Sequence, residues 1–499
     1  MCRYRAPVPQ RARNWLTPIA WVAAVTAALL LLLPFGFPNY DTIYSLVWGW
    51  ELAHGMSPDM GAALPPTPHP LAELFGAATA PLGEGAVDAT MALAYLSLGL
   101  VGYLVYRLGS LWFDRPVGAV AALIVLTRAP YLSNGLRAYI DLPYIVLVLG
   151  ALVIETRRQQ EPQENGLGKK WLVLTLLALA GLLRPEAWLF SVAYLAYLAL
   201  AGERDRRKLA GLAAFAFAAP VLWALFDWIT AGSPTYSFTG TRETVETLER
   251  QTGPIDLVLY GPRRLGEVLQ WPGMVGALGG IVLALRLMRR SVHLPAYRGG
   301  NARIGIVAAA LALVAFAILA CAGLAIIPRY TMPAASLLAV FAAFSLLGWR
   351  LLGRGDPWRR PAQGLATVVA LLFLIWGPNQ YDLLHRVDVD LTNQSEIESD
   401  LRDLAASGAF EPLCLPISVP NHRAVPRLAF DLEVRPSRIV GSAEGRPPRR
   451  GYFLAPASEF TIRNFILDPN DPARLKTTAP PGFREVARND SWVLYRRCG

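Results

Sequence analysis

Along this chain, one apolar stretch after another reaches or approaches the roughly 20 residues that carry a helix across a bilayer. The first runs from Trp15 to Leu33, and the last ends near Ile375. Of the 499 residues, 54% are hydrophobic and 17% charged, where a soluble domain carries about 25% charged residues. In hydrocarbon, every backbone N–H and C=O must be bonded within the protein, and a helix does this within one segment. The chain therefore reads as a polytopic α-helical membrane protein. Spans are expected near 16–34, 86–106, 117–133, 141–155, 171–183, 186–201, 209–229, 272–288, 304–327, 331–349 and 363–378, about eleven in all. The windows 141–155, 171–183 and 186–201 are short. Broken backbone there is tolerable only where protein or a water cavity surrounds it.

The 47 Lys and Arg outnumber the 37 Asp and Glu, but their placement speaks against a nucleic-acid partner. They gather in 1–14, 107–116, 156–170, 202–208, 286–303 and 350–362, short pieces between spans. Cationic loops beside spans stay cytoplasmic. This places the amino terminus inside and the carboxyl terminus outside a plasma membrane. The first span has a basic flank but is long and has no small-x-small site before Pro34, so it reads as an uncleaved anchor. From Pro34 to Gly85 there is no Lys or Arg, yet Asp41, Glu51, Asp59, Glu73 and Glu84 are present. That loop is expected outside, with carboxylates at the membrane surface.

The composition changes near Asn379, dividing the chain into a membrane part, 1–378, and a small C-terminal extracytoplasmic α/β domain, 379–499. Ile397, Leu401 and Leu404 have helical spacing; Cys414 to Val419 and Ser437 to Gly441 are short apolar runs, and Trp492 to Tyr495 reads as a closing strand. Thr230 to Trp271 is a second outer segment, with a helix expected over Glu243 to Arg250. Cys414 and Cys498 both fall in the tail and either form a disulfide or remain two thiols.

Ionisable residues near membrane depth are costly and tend to be used. Asp41, after the first span, is placed to act as a general base, or as a cap for the helix from Thr42. Asp141, ahead of Pro143, is either an N-cap or a second catalytic carboxylate facing Asp41 across a cavity; Arg137 precedes it. His69 opens a short interfacial helix and either binds an anionic head group or stiffens a turn. Arg184 and Glu186 interrupt a long apolar stretch, and either contact substrate or neutralise each other. Arg329 and Tyr330 lie between two apolar spans; the guanidinium fork matches a phosphate, and an interfacial anchor is the alternative.

Taken in order, Asn39-Tyr40-Asp41 with Trp48 to Gly55, Pro68-His69-Pro70-Leu71, Asp141-Leu142-Pro143, Leu183-Arg184-Pro185-Glu186 and Arg329-Tyr330-Thr331-Met332-Pro333 resemble the GT-C class of polytopic glycosyltransferases. That class includes protein O-mannosyltransferases and the aminoarabinose transferase of lipid A. The resemblance covers about 16–378. It implies a sugar carried on a polyprenyl phosphate and moved, with inversion, to an extracytoplasmic glycan, lipid or protein. It implies Asp41 as the residue activating the acceptor hydroxyl, Asp141 as the acidic residue near the fourth span, and Arg329 near the lipid phosphate. The chain departs from the class where many members carry an acidic pair, because Thr42 follows Asp41.

No Gly-rich phosphate loop and no metal-ligand spacing is present. No cofactor is required, and a divalent cation is possible but not indicated. The competing reading is a transporter or flippase of lipid-linked glycan. Such proteins tend to show repeat symmetry and polar residues near the midplane, whereas here the polar groups gather at one face and no repeat is visible.

Overall fold

The structure is a computed structural model describing residues 16–33, 36–160, 166–201, 203, 205–290, 301–443, 449–465 and 477–498. The basic stretch 1–14, Cys2, Pro34, Arg204 and 291–300 of the expected loop 286–303 lie outside the described residues. The chain opens with helix α1 (Leu16–Leu32), followed by α2 (Tyr40–Ala53), α3 (Pro70–Thr79) and α4 (Gly85–Trp112). Next come α5 (Arg115–Leu126), α6 (Ala129–Leu136), α7 (Asp141–Gln160), α8 (Gly166–Gly181) and α9 (Glu186–Leu200). Then α10 (Arg206–Ala216), α11 (Ala218–Ala231), α12 (Tyr236–Thr247), α13 (Gly253–Arg290), α14 (Ala302–Cys321), α15 (Met332–Leu347) and α16 (Arg359–Ala406) follow.

Each apolar window expected to span holds a helix. Five helices are long and apolar enough to cross a membrane, or seven if each of two bent pairs is one span. The bends are 63° between α5 and α6 and 41° between α10 and α11. α13 is itself broken at Gln270, where φ is +60° between Pro262 and Pro272; the prolines remove backbone donors from the helix. The segment Thr230 to Trp271 is thus helical for most of its length, as α12 and the first half of α13.

α15 is the axis of the bundle. It is apolar all round, and residues from Met332 to Ser345 are buried without interruption, as expected for a helix with no solvent face. It packs against α5, α13, α14 and α16. Its N-terminus carries the short 3₁₀ turn Pro328–Thr331, which fixes Arg329 and Tyr330 against the core.

α16 does not end where the composition changes. It continues through Pro378 to Ala406, exchanging an all-apolar stretch for a single buried stripe of Ile397, Leu401 and Leu404. Beyond it lie β1 (Ile417–Val419), α17 (Val425–Asp431), β2 (Ile439–Gly441), β3 (Gly451–Pro456), α18 (Glu459–Phe465), β4 (Arg484–Arg488) and β5 (Trp492–Arg497). The five strands form one sheet in the order β2-β1-β3-β5-β4. β1 pairs parallel with β2 and β3; β5 pairs antiparallel with β3 and β4.

The core of this sheet unit recruits a helix from the far end of the chain. Ile43, Tyr44, Val47 and Trp48 of α2 share one buried cluster with Ile397, Ile417, Leu428, Tyr452 and Trp492. The cluster of the membrane bundle contains none of these α2 residues.

Cys414 and Cys498 are joined in a disulfide, 84 residues apart in sequence. Closing a loop of that length restricts the unfolded chain by about 4.6 kcal/mol in the chain-entropy account. A Cys414→Ser variant is expected to lower the thermal unfolding midpoint of the sheet unit, and loss of protease resistance over 410–498 is the measurement that checks it.

Candidate functional site

Asn39 begins the site. Its Oδ1 accepts from the backbone N–H groups of Asp41 and Thr42, at 2.8 and 3.3 Å, and so caps α2. Its Nδ2 donates to the Arg137 carbonyl at 2.8 Å, and Thr42 Oγ1 donates to the Ala138 carbonyl at 2.8 Å. Because Asn39 does the capping, the Asp41 carboxylate is left for other work. Arg329 Nη1 donates to Asp41 Oδ2 at 3.1 Å. This pair is reachable from the cavity: the Asp41 side chain is 28% exposed and that of Arg329 23%.

A second charged group lies beside it, more deeply buried. Arg184, between α8 and α9, donates through Nη1 to Asp141 Oδ1 at 2.7 Å and through Nη2 to Glu186 Oε1 at 2.9 Å. All three are buried. Two carboxylates around one guanidinium leave Asp141 Oδ2 and Glu186 Oε2 without partners. Asp141 is the first residue of α7, and its carboxylate does not line the cavity. The expectation of a second carboxylate facing Asp41 across open space is corrected here, because Arg184 lies against it and takes its charge.

Tyr330 joins the two groups. The Arg184 guanidinium lies 4.3 Å from its ring centroid and that of Arg329 lies 5.7 Å away. Arg329 also lies over Tyr139 at 5.0 Å. Aromatic faces attract desolvated cations, so the tyrosines help hold two like charges close together.

His69 stands at the N-terminus of α3 without capping it through its side chain. Glu73 Oε1 accepts from the His69 backbone N–H at 3.2 Å. The ring packs edge-on against Trp223, and its Nδ1 has no partner. Arg137 is held by Ser133 at 2.6 Å and by Gln394 of α16 at 3.0 Å.

Asp41, His69, Arg137, Arg184, Glu186, Arg329 and Tyr330 all line a single cavity of about 1800 Å³. Sequence reasoning missed several of its other walls. Asn39 was read as part of a motif and not as a cap, and Tyr139 shows its role only through the cation it covers. Trp188, Trp223 and Phe217 give the cavity an apolar wall, while Arg250, Gln394 and Glu398 add polar ones. No local pattern marks these, because they come from three different helices and two loops. Among the described residues, no group of three or more His, Cys, Asp or Glu is arranged to hold a metal ion.

The fold and the site thus define a multi-pass membrane protein with one large cavity and charged groups gathered at one end of its helices. No family model matches the chain, and no curated protein matches it. Among solved structures it is similar to ArnT of Cupriavidus metallidurans bound to undecaprenyl phosphate, with a TM-score of 0.55, 14% identity, and 97% of this chain and 98% of that one covered. The apo state of the same ArnT gives a TM-score of 0.52 at 14% identity, covering 96% and 97%. The Archaeoglobus fulgidus oligosaccharyltransferase matches at a TM-score of 0.48 and 13% identity, over 85% of this chain and 62% of that one, a likeness too slight to build on. The likeness to ArnT covers almost the whole chain, so the two share a fold.

Outside the spans, burial pushes the Glu51 carboxyl up to about 7 and that of Glu73 up to about 8. Burial holds His69 down at about 3, and the nearby Arg184 adds to this. A raised carboxyl supports folding fully below its ordinary value near 4.5 and loses that support as pH climbs through the folded value. His69 works the other way, its contribution being full above about 6.5 and lost only on acidification. Between about pH 6.5 and 8, only the carboxyls change. The thermal midpoint of the purified protein is expected to fall across that interval, and Glu73→Gln is expected to flatten the slope.

Proposed function

We propose that the chain is an integral-membrane glycosyltransferase that moves a sugar from a polyprenyl-phosphate donor to an extracytoplasmic acceptor, with inversion. In this reading the expected eleven spans stand, the amino terminus is cytoplasmic, and the site and sheet unit face outward from a plasma membrane. The 1–378 and 379–499 division is kept for topology. The donor class comes from the fold neighbour: ArnT was crystallised with undecaprenyl phosphate. The apolar wall at Trp188, Phe217 and Trp223 suits a lipid chain beside the charged end.

The observation that carries the reading is the 3.1 Å pair of Asp41 and Arg329 at the cavity wall. Of the charged groups around Tyr330, this pair is the more accessible: its side chains are 28% and 23% exposed, while those of Arg184, Asp141 and Glu186 are 7% exposed or less. A phosphate entering the cavity competes with Asp41 for Arg329, since the guanidinium fork matches its oxygens. Its arrival releases the carboxylate. For inversion, the acceptor oxygen attacks the anomeric carbon on the face opposite the phosphate. The sugar therefore lodges between Asp41 and Arg329, and the pair describes the resting state. As the new C–O bond forms, Asp41 accepts the hydroxyl proton, and the bond to phosphate oxygen breaks. Polyprenyl phosphate leaves with its charge balanced by Arg329. Arg184, held by Asp141 and Glu186, supports the same end of the cavity through Tyr330. Asp141 acts in this scheme by holding Arg184.

Asp41→Asn keeps size and hydrogen bonding but removes the base. Purified protein in vesicles with a labelled polyprenyl-phosphate sugar is expected to lose turnover by roughly 10²–10⁴-fold, with donor binding retained. Full turnover in this variant would reject Asp41 as the base. Arg329→Lys keeps the charge but loses the fork, and is expected to raise the donor KM more than it lowers kcat.

A further inference from the structure

α2 carries Asp41, but its other end belongs to the sheet unit. At that end two carboxylates lie together. Glu51 is 1% exposed, and its Oε2 accepts from the Asp59 backbone N–H at 2.7 Å. Asp59 Oδ1 accepts from the Gly61 N–H at 3.0 Å, and Oδ2 from the Ser437 N–H at 2.9 Å. The cation that serves both comes from the sheet unit. Arg435 Nε lies 3.4 Å from Glu51 Oε1 and 3.6 Å from Asp59 Oδ2, and its Nη2 donates to the Ser57 carbonyl at 3.2 Å. The indole of Trp48 closes the turn by donating to the Asp59 carbonyl at 3.1 Å. Arg435 is the cation that both buried carboxylates face; without it Glu51, whose carboxyl burial already raises to about 7, takes up a proton and the charged tie between this end of α2 and the sheet unit is lost.

α3 cannot move independently. A Cβ at Gly49 would stand 2.4 Å from the Ala77 nitrogen and the Gly76 carbonyl carbon, so the two helices touch backbone to backbone. Asp41 and His69 therefore ride on one rigid pair, anchored at one end to Arg137 and Ala138 and at the other to Arg435.

We propose that Arg435 is a positioning residue: the sheet unit, through Arg435 on Glu51 and Asp59, holds the α2–α3 pair in the place that sets Asp41 for proton transfer. This rests on Asp41 being the base. Small misplacement of a reacting group costs rate far more than binding.

The test is Arg435→Met and Arg435→Lys in the full-length protein, with transfer kinetics and amide exchange followed together. Arg435 is half-exposed, so neither change buries a new polar group. Arg435→Met is expected to lower kcat by roughly 10- to 100-fold with the donor KM unchanged, and to speed exchange over 43–53 while β3 and β5 stay protected. Arg435→Lys is expected to restore most of the turnover. Wild-type kcat in Arg435→Met overturns the proposal, as does a loss accompanied by fast exchange throughout β3 and β5, or no rescue by lysine. The two readings separate cleanly. Full turnover in Asp41→Asn removes the base whatever Arg435 does, and an inactive Asp41→Asn beside a fully active Arg435→Met removes the clamp alone.

Discussion

Two guanidinium groups share the ring of Tyr330, and the chemistry of the cavity follows from how unequally they are satisfied. Arg184 has two carboxylates, both buried with it. Arg329 has one, at the cavity wall. Desolvated cations this close are tolerable only where anions and aromatic faces offset the repulsion. The more buried group is therefore a fixed part of the fold, and the more accessible one can exchange partners. The helix junctions α1–α2, α6–α7, α8–α9 and α14–α15 all end at this point: the first contributes Asp41, the second Tyr139 and Asp141, the third Arg184 and Glu186, and the fourth Arg329 and Tyr330.

Much of this architecture was legible in the residues. The apolar windows are long, and their lengths alone imply helices. Arg329 and Tyr330 stand out because Pro328 and Pro333 bracket them between two apolar runs. The cavity itself was legible only as a tendency for polar groups to gather at one face. The pairing of Arg184 with Glu186 was one of the two readings the sequence offered, but the pairing of Arg184 with Asp141 was not legible. Arg184 and Asp141 lie 43 residues apart, and no periodicity connects them. The cap at Asn39 also freed Asp41 from a role the sequence left open.

The apparent boundary at Asn379 shows a different limit. Composition there moves from all-apolar to a single apolar stripe, which looks like the start of a new domain. The backbone does not respond, because both patterns suit a helix. Conversely, α2 lies in the first tenth of the chain, yet its apolar face completes the core around Trp492. Topology and packing thus divide the molecule differently. One assigns α2 to the membrane part, the other to the sheet unit, and the helix bearing Asp41 lies in both.

The unbroken course of α16 through Pro378 makes chain length between membrane and site a matter of phase. Each residue of an α-helix advances about 1.5 Å and turns about 100°. One residue added between Gly377 and Asp390 would swing Gln394 away from Arg137 and turn the Ile397–Leu401–Leu404 stripe out of its core. Only an insertion near a whole number of turns, such as seven residues, would restore the facing, and it would lift the sheet unit by about 10 Å. The helix thus acts as a gauge, fixing both the height and the rotation at which the sheet unit meets the bundle.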